Sequence, residues 1–281
     1  MRRRRAVAQL LHRPAGLSAE GAVRHLLAVQ AQDARSARLA LRARLGAPPD
    51  DDGALVVTWL LRGTLHLVHR DDLPWLHAVT APTRMRASDR RLRELGLDPA
   101  DALARVRAAL PFTRAEAGER LGLTGQAIPH ALMRTALEGH CVGDLDGHWV
   151  ATDIERVDRD RALDELARRF AVAHPGADLA AWAGIARRDA RPIPDCGVAA
   201  QASGPRLLPP FDPYLIAYRD AVPQALRERV FPGGGMFRAT AVDDGVVRGT
   251  WTMPRGRVVL DPPHLAADFA DEIAALEATR R

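Results

Sequence analysis

The chain has 281 residues and a formal net charge of +5 at pH 7, with 47% hydrophobic and 27% charged residues. This composition is typical of a globular protein with room for about two domains, and it excludes a disordered chain. No apolar run approaches the roughly 18 residues that span a bilayer, and the arginine-rich start lacks the apolar core of a secretory signal. We therefore expect a cytoplasmic protein that does not bind a membrane.

All 40 basic residues are arginine, because the sequence contains no lysine, a feature typical of a GC-rich genome. The absence of lysine excludes P-loop ATPases, protein kinases, pyridoxal-phosphate enzymes and lysine Schiff-base catalysts. The positive net charge favours a polyanionic partner. Two distant cysteines and ten scattered histidines lack metal-ligand spacing, so we expect no metal, no disulfide and no cofactor.

The first fifty residues predict two helices joined by a short junction. Ser18 is a typical N-cap, and apolar residues follow it at helical spacing. Asp33 has the same capping character, so a second helix is expected to begin just after it. A loop over residues 48–53 is predicted to follow this helix.

Residues 56–95 predict a turn at Gly63, a strand over 64–68 and a basic helix over 82–95. The helix contains the largest concentration of arginines in the chain. It is the strongest candidate for binding phosphates, and a simple solvated face is the alternative. The candidate DNA contacts on this helix are Arg84, Arg86 and Arg90.

The segment 112–152 is the clearest local unit. Thr113 and Glu116 form a capping box, and a second helix over 126–139 follows a tight turn. An Asp-Gly signal within 144–147 separates two short predicted strands. Helix, turn, helix and hairpin in this order predict a winged helix.

The remaining sequence changes from helical to strand-like patterns. An amphipathic helix is predicted over 159–173, and 178–191 has the length of a short helix-turn-helix. The Pro- and Gly-rich stretch 192–210 is too short for a full wing. Alternating segments around the turn 243–245 then predict a small sheet or open barrel, and apolar residues within 265–276 predict a closing helix.

Four motifs in one order along nearly the whole chain carry a family resemblance. They are VQAQD at 29–33, WLLRGTLHLV at 59–68, LPPFDPYL followed by YRD within 208–220, and PGGGMF followed by DG and GTW within 232–251. Together they resemble the AlkZ-like winged-helix DNA glycosylases. Each motif is weak alone, but the four in sequence are specific.

The resemblance implies an α+β fold, mainly α, in which tandem winged-helix modules form a C-shaped arrangement with a small C-terminal β-barrel. We expect winged helices at 1–110 and 111–155, a shortened third one at 156–210, and the barrel with its closing helix at 211–281. The chain is shorter than typical members within the third module, and it has Gly234 where relatives often carry asparagine. Both departures concern the modules that follow the second winged helix.

The implied activity is that of a monofunctional DNA glycosylase. Such enzymes hydrolyse the N-glycosidic bond of alkylated purines in double-stranded DNA, including bulky adducts and interstrand crosslinks. Their roles are DNA repair and, in several members, self-resistance of antibiotic producers. We expect a monomer that needs no cofactor, and the missing lysine excludes a lysine-based lyase step.

The catalytic Gln-x-Gln motif of the family falls on Gln30 and Gln32. A related branch has Gln-x-Asp, so the second glutamine places the chain nearer the crosslink-repair branch. Residues i and i+2 of a helix point about 200° apart, so the two side chains converge only in an extended junction. An alkylated purine is a cationic, good leaving group, so the reaction needs a positioned water more than a strong base. From spacing alone, surface glutamines or backbone caps are the commoner interpretation.

Supporting roles are predicted for Asp33, Arg62, Thr64 and His66. Asp33 is the rival water-activating group, although a helix cap is its more ordinary role. His66 shares a strand face with Thr64, and it either contacts the DNA or lesion or is a buried, hydrogen-bonded histidine. Arg62 either grips a phosphate or pairs with an acidic residue.

Three further arginines are candidate DNA contacts. Arg134 lies on the predicted recognition helix 126–139 of the second winged helix. Arg238 and Arg248 flank the 243–245 turn, whose hairpin is expected to probe a minor groove. These residues extend the predicted DNA contacts beyond the basic helix.

Other residues have predicted structural roles. Residues 2–5 are either a flexible tail on DNA or disordered. Trp59 is more common in a core than as a stacking platform. Asp212 and Tyr214 are predicted to brace the junction to the barrel.

Two other functions fit a DNA-binding fold. A winged-helix transcription regulator needs several base-reading side chains on its recognition helix and usually a dimer, and helix 126–139 offers few such side chains. A non-catalytic relative that binds and shields damaged DNA is the second alternative. The four motifs favour the glycosylase.

Overall fold

The structure is a computed structural model that describes residues 1–50 and 53–278. Part of the predicted 48–53 loop and the last three residues of the predicted barrel module therefore lie outside the described residues. The fold is mixed α/β and contains antiparallel sheets. The predicted combination of helices and strands is confirmed at this level. No helix among the described residues is long and apolar enough to cross a membrane.

Helices and strands alternate along the chain. The helices are α1 (Arg2–Ala8), α2 (Ala19–Leu26), α3 (Ala34–Leu45), α4 (Leu73–Glu94), α5 (Pro99–Ala109), α6 (Ala117–Leu121), α7 (Ala127–Glu138), α8 (Arg159–Ala173), α9 (Leu179–Ala183), α10 (Pro213–Ala217), α11 (Arg227–Val230) and α12 (Ala270–Ala278). The strands are β1 (Val29–Gln30), β2 (Leu55–Trp59), β3 (Leu65–His69), β4 (Phe112–Thr113), β5 (Cys141–Gly143), β6 (His148–Ala151), β7 (Pro205–Leu208), β8 (Thr240–Asp243), β9 (Val246–Thr252) and β10 (Val259–Asp261).

The chain forms two compact units. Unit 1 contains residues 1–52, 169–178 and 194–281, and unit 2 contains residues 53–168 and 179–193. These units are built from discontinuous segments and do not coincide with the predicted module boundaries. The division into four modules stays a prediction.

Unit 2 contains the segment 112–152 with the predicted order of elements. The capping box is confirmed, since the Thr113 amide donates to Glu116 Oε2 at 2.7 Å and the Glu116 amide donates to Thr113 Oγ1 at 3.3 Å. The hairpin of β5 and β6 is also confirmed, with Val142 opposite Val150. The strands of unit 2 follow the order β3-β2-β5-β6-β4 and are antiparallel.

Tryptophan packing stabilises this sheet from one side. Trp59 on β2 and Trp149 on β6 stack with ring centroids 5.3 Å apart, and both are buried. The prediction that Trp59 belongs to a core is therefore confirmed. Packed aromatic pairs of this kind contribute about 0.5–1.5 kcal/mol beyond their buried area.

The basic helix is longer than the sequence predicts. Helix α4 begins at Leu73, and Pro82 lies inside it rather than at its start. Leu76 and Val79 are fully buried, so packing of this apolar face offsets the hydrogen bond that proline removes. The arginines of the predicted helix thus occupy the second half of α4.

Two other expectations are wrong. Residues 178–191 form only the short helix α9 and a single 3₁₀ turn, because their apolar residues are too few for a second helix. Residues 2–5 belong to α1, and Arg3 and Arg5 pair with Asp244 and Asp220 at 2.7 and 2.6 Å. These pairs order a segment that was expected to be a tail or disordered.

The sheet of unit 1 has the strand order β10-β9-β8-β7 and is antiparallel. Its central hairpin turns at Asp244 and Gly245, whose φ angles of 48° and 77° are those of a tight hairpin turn. Strand β7 lies within the stretch that was expected to be irregular. Leu207 and Leu208 in this strand are buried, so long-range pairing orders it.

A buried ion pair links three segments of unit 1. Arg44 on α3 and Asp212 have no exposed side-chain surface, and both guanidinium–carboxylate hydrogen bonds measure 2.9 Å. Arg44 Nε also donates to the Gln9 carbonyl after α1, and Asp212 caps α10 by accepting from the Tyr214 amide. Asp212 therefore braces α3 and α10, while the Tyr214 hydroxyl donates to the Gly245 carbonyl at 2.6 Å and so braces the β8–β9 hairpin.

We expect Arg44→Met to destabilise the protein by about 3–5 kcal/mol, because it leaves the Asp212 carboxylate buried without its counter-charge. Urea unfolding followed by circular dichroism measures the change. The matched control is Arg257→Met, which removes an arginine that is 82% exposed. Its effect is expected to stay within about 0.5 kcal/mol. Equal stability of the two variants would contradict the role of the pair.

Candidate functional site

The two glutamines lie in the junction between α2 and α3. Helix α2 ends at Leu26, and Leu27 has a positive φ of 71° that turns the chain. Asp33 caps α3, since its carboxylate accepts hydrogen bonds from two backbone amides and from the Ser36 hydroxyl at 2.7 Å. The predicted cap is therefore confirmed, and the carboxylate oxygens of Asp33 are engaged in holding the first turn of α3.

The glutamine side chains converge within this junction. Gln30 Nε2 donates a hydrogen bond to Gln32 Oε1 at 2.9 Å, while the intervening Ala31 is buried. This geometry is that of an extended backbone, as predicted from the spacing. Neither side chain makes another hydrogen bond with the described residues. The side-chain oxygen Oε1 of Gln30 and the side-chain amide N–H groups of Gln32 are therefore available to a ligand.

An open pocket of unit 1 has Asp33, the residue after Gln32, in its wall, while neither glutamine is part of its lining. Its volume is about 530 Å³, within the range of small-molecule sites. Because Asp33 follows Gln32 directly, their Cα atoms are about 3.8 Å apart. Arg35 and Arg238 are charged residues of the lining. The apolar part of the lining is Leu39, Met236, Phe237, Trp251, Met253 and Val259.

The two candidate arginines near the hairpin occupy different places. Strand β8 begins at Thr240, so Arg238 precedes the hairpin, and it lines the pocket. Arg248 lies on β9 opposite a bulge between Ala241 and Val242, and it is 3.4 Å from Asp243. Both side chains are exposed. Bulges commonly redirect a side chain in this way.

Unit 2 brings Arg62, Thr64 and His66 together. His66 is buried, and its Nδ1 lies 2.9 Å from the Thr64 carbonyl, so Nδ1 carries the proton and donates it. Nε2 is then an acceptor for Arg62 Nη2 at 3.4 Å. Burial, and then the charge of Arg62, lower the pKa of His66 to about 3. The alternative of a buried, hydrogen-bonded histidine is confirmed.

Arg62 also packs beside Arg84. Its guanidinium donates to the Trp182 carbonyl, and its backbone is held at a φ of 56°. A Cβ atom added at Gly184 would lie 3.0 Å from both Arg62 Cα and Arg84 Nη2, so glycine permits this close approach. The structure therefore places Arg62 and Arg84, two of the predicted site residues, next to each other in unit 2.

The remaining candidate arginines differ in how far their charge is compensated. Arg134 is bound by Asp89 and Glu138, each at 2.5 Å, so its guanidinium is already paired. Arg90 lies 3.8 Å from Glu94, while Arg86 is exposed and has no charged partner among the described residues. No cluster of three or more metal-ligating side chains occurs within the described ranges.

Sequence reasoning missed most of the residues that form the pocket, apart from Asp33 and Arg238. Arg35 lies two positions after Asp33, and this proximity to the motif was the available signal. Met236 and Val259 are 53% and 49% exposed, so the pocket has an apolar rim in water. Their positions depend on the pairing of distant strands, which spacing does not reveal.

The comparisons agree with the resemblance. The sequence model of the family described as "DNA glycosylase AlkZ-like" matches residues 23–199 and 130–281. The chain belongs to the AlkZ-like DNA glycosylase family. It is therefore a DNA glycosylase, and its substrate is DNA.

The fold of this glycosylase is also similar to that of a solved structure. The DNA glycosylase AlkZ of Streptomyces sahachiroi matches with a TM-score of 0.73 and 20% sequence identity, covering 100% of this chain and 96% of that chain. At this identity the likeness shows the shared fold alone. No curated protein sequence matches the chain.

We expect His66 to make the stability of the glycosylase depend on pH below 6.5. The unfolded state, with a histidine pKa of about 6.5, binds a proton there, whereas the folded state with a pKa of about 3 does not. Stability contributed through His66 is therefore lost as the pH falls from 6.5 to 5, by about 2 kcal/mol.

Urea unfolding at pH 5, 6 and 7 measures this dependence for the wild type and His66→Gln. The variant is expected to show a shallower loss. His264→Gln changes an exposed histidine and is the matched control, which is expected to keep the wild-type dependence of stability on pH. The same dependence of the unfolding free energy on pH in the wild type and His66→Gln would contradict this role of His66.

Proposed function

We propose that this glycosylase hydrolyses the N-glycosidic bond of N7- or N3-alkylated purines in double-stranded DNA, with Gln30 and Gln32 holding the attacking water. The observation that carries the proposal is the hydrogen bond between the two amides in an extended junction. Each amide restrains the other, which leaves a defined carbonyl oxygen and amide donors for one small polar molecule. Because the water is already held in place, the reaction step does not include the entropy cost of capturing a free water.

The chemistry suits a weakly basic pair. Alkylation gives the purine a formal positive charge, so the C1′–N bond breaks with its electrons moving to the base, which leaves as a neutral molecule. The water oxygen bonds to C1′ of the oxocarbenium-like sugar, and the proton of that water passes to solvent. The Gln30 carbonyl dipole stabilises the developing positive charge and orients the water.

Asp33 has a supporting role in this proposal. Its carboxylate is occupied by the first turn of α3 and by the Ser36 hydroxyl, so it holds the glutamine junction in place. A general base is unnecessary when the leaving group is already cationic. This arrangement favours alkylated purines over undamaged bases, because an undamaged purine is a poor leaving group.

The pocket that has Asp33 in its wall favours large adducts. Its volume of about 530 Å³ and its apolar lining provide room for an alkyl substituent that carries rings or chains. We therefore include bulky adducts and interstrand crosslinks among the substrates. The corresponding roles are DNA repair or self-resistance to a DNA-alkylating antibiotic, in the cytoplasm and as a monomer.

We also retain the winged-helix interpretation of residues 112–152. It is supported by the order of α6, α7 and the β5–β6 hairpin. The DNA contacts of the proposal are Arg62, Arg84, Arg86 and Arg90 in unit 2 and Arg238 and Arg248 in unit 1. Arg134 is retained only as a weaker contact, because two carboxylates already bind its guanidinium.

We expect Gln30→Ala and Gln32→Ala each to lower base release by about 10²–10³-fold with DNA affinity unchanged, because each removes a positioned dipole from the reacting centre. The assay uses one duplex with a single N7-methylguanine and another with a bulky N7 adduct. Mass spectrometry follows the free base.

Gln201→Ala is the matched control, since Gln201 is an exposed glutamine away from the junction. It is expected to release both bases at the wild-type rate. Full activity of both glutamine variants would contradict the catalytic assignment. Tight binding of both duplexes by the wild type without any base release would favour the non-catalytic DNA-binding alternative.

We expect the double variant Arg238→Ala/Arg248→Ala to bind duplex DNA about tenfold more weakly. It is also expected to lower the slope of log affinity against log salt by about 2, because each arginine contributes about one phosphate contact. Fluorescence anisotropy at several salt concentrations measures both quantities. Arg257→Ala changes an exposed arginine outside the pocket and is the control. An unchanged slope would remove both arginines from the DNA contacts.

A further inference from the structure

Three arginines of unit 1 surround a single buried carboxylate. Glu272 accepts a hydrogen bond from Arg13 Nη2 at 2.9 Å, and its Oε1 lies 3.9 Å from Arg206 Nη1. The third arginine is Arg42 on α3, which is 3% exposed. Arg13 Nε donates to the Ala43 carbonyl, directly after Arg42, so the Arg13 side chain crosses beside Arg42. Three cations therefore share one anion.

One edge of the Arg42 guanidinium is unoccupied by the described residues. Its Nε and Nη2 atoms are buried and have no hydrogen-bond partner among them. These two nitrogens form the edge with which arginine binds two oxygens of an oxoanion side by side. A buried donor without a partner costs free energy, and here two donors of one edge lack partners together.

Arg44 shows that the same helix can bury an arginine with its donors satisfied. Two positions after Arg42, its Nε, Nη1 and Nη2 all donate to carbonyl or carboxylate oxygens at 2.7–2.9 Å. The unpaired edge of Arg42 is therefore a property of its own surroundings. Among the described residues, no carboxylate hydrogen-bonds to the Nε and Nη2 atoms of Arg42 as Asp212 does to the guanidinium of Arg44.

The charges around Arg42 favour a further anion. Burial lowers the pKa of Arg42, and burial together with the charge of Arg13 lowers the pKa of Arg206 to about 10. Both guanidiniums still carry a proton at pH 7, so the cluster keeps a net charge of two positive units. His12 lies near the cluster, and burial followed by the charge of Arg206 lowers its pKa. The Arg13 side chain is 24% exposed, so the cluster reaches solvent at this residue.

We propose that Arg42, with Arg13 and Arg206, binds an oxoanion of the phosphate class through the Nε–Nη2 edge of Arg42. The ligand is either free phosphate or a phosphate group of the DNA backbone, which present the same oxygens. Binding offsets the uncompensated positive charge and stabilises unit 1. This site is distinct from the glutamine pair and does not depend on the proposed reaction.

Thermal unfolding of the full chain tests the site. With 10 mM inorganic phosphate, compared with chloride at equal ionic strength, the wild-type Tm is expected to rise by about 3 °C. Arg42→Met is expected to melt higher than the wild type without phosphate and to gain nothing from it, because the unpaired charge is gone. Arg257→Met keeps the full phosphate gain. Isothermal titration calorimetry is expected to find one phosphate per chain.

Arg42→Lys is the second variant if Arg42→Met fails to fold. It keeps the charge but lacks the planar edge, so the phosphate gain is expected to fall by more than half. The same phosphate gain in wild type and both Arg42 variants would show an adventitious ion only, and no gain in the wild type would also overturn the proposal.

An undamaged duplex distinguishes the two sources of phosphate. If the DNA backbone is the ligand, duplex displaces inorganic phosphate from the wild type, and Arg42→Met binds duplex several-fold more weakly. If free phosphate is the ligand, the duplex affinity of Arg42→Met equals that of the wild type while its phosphate gain is still lost. Either result supports the oxoanion site and assigns its source.

Discussion

The ion pair between Arg44 and Asp212 is the constraint on which the candidate site depends. Two charges removed from water are tolerable only when their remaining donors and acceptors are bonded, and here backbone groups at Gln9 and Tyr214 complete that requirement. The pair consequently fixes the helix α3 against two distant parts of unit 1. The glutamine junction lies just before α3. Its position is therefore set by the contact of Arg44, which lies eleven residues after Asp33. The Asp33 cap then defines where the junction stops.

Two of the ionisable residues predicted to support the glutamines are engaged in structure. The Asp33 carboxylate holds a helix turn, and in unit 2 burial keeps His66 neutral while its ring binds Thr64 and Arg62. In the proposed reaction, the groups left for chemistry are a pair of neutral amides with fixed dipoles. Such a pair orients water and stabilises charge without abstracting a proton, which suits the proposed substrate, a purine that is cationic before it binds.

The exclusive use of arginine gives the protein cations that bind oxygen atoms in pairs and stay protonated when buried. Arg44 uses this property fully, and Arg134 is held between two carboxylates. Arg86 and Arg238 instead have exposed guanidiniums, which suits their proposed role as DNA contacts. Arg42 combines burial with an unpaired edge, a costly state that a ligand would relieve.

The sequence by itself determined features that arise from contacts within a few residues. The caps at Ser18 and Asp33, the Thr113–Glu116 box, the hairpin turns and the extended glutamine junction are all of this kind, since spacing alone decides which groups can meet. Only the tertiary structure decided that α4 continues through Pro82, that β7 joins a sheet, and that a pocket opens beside Asp33. These features depend on burial against segments far away in the chain. That burial outweighs the local preferences on which a prediction from sequence relies.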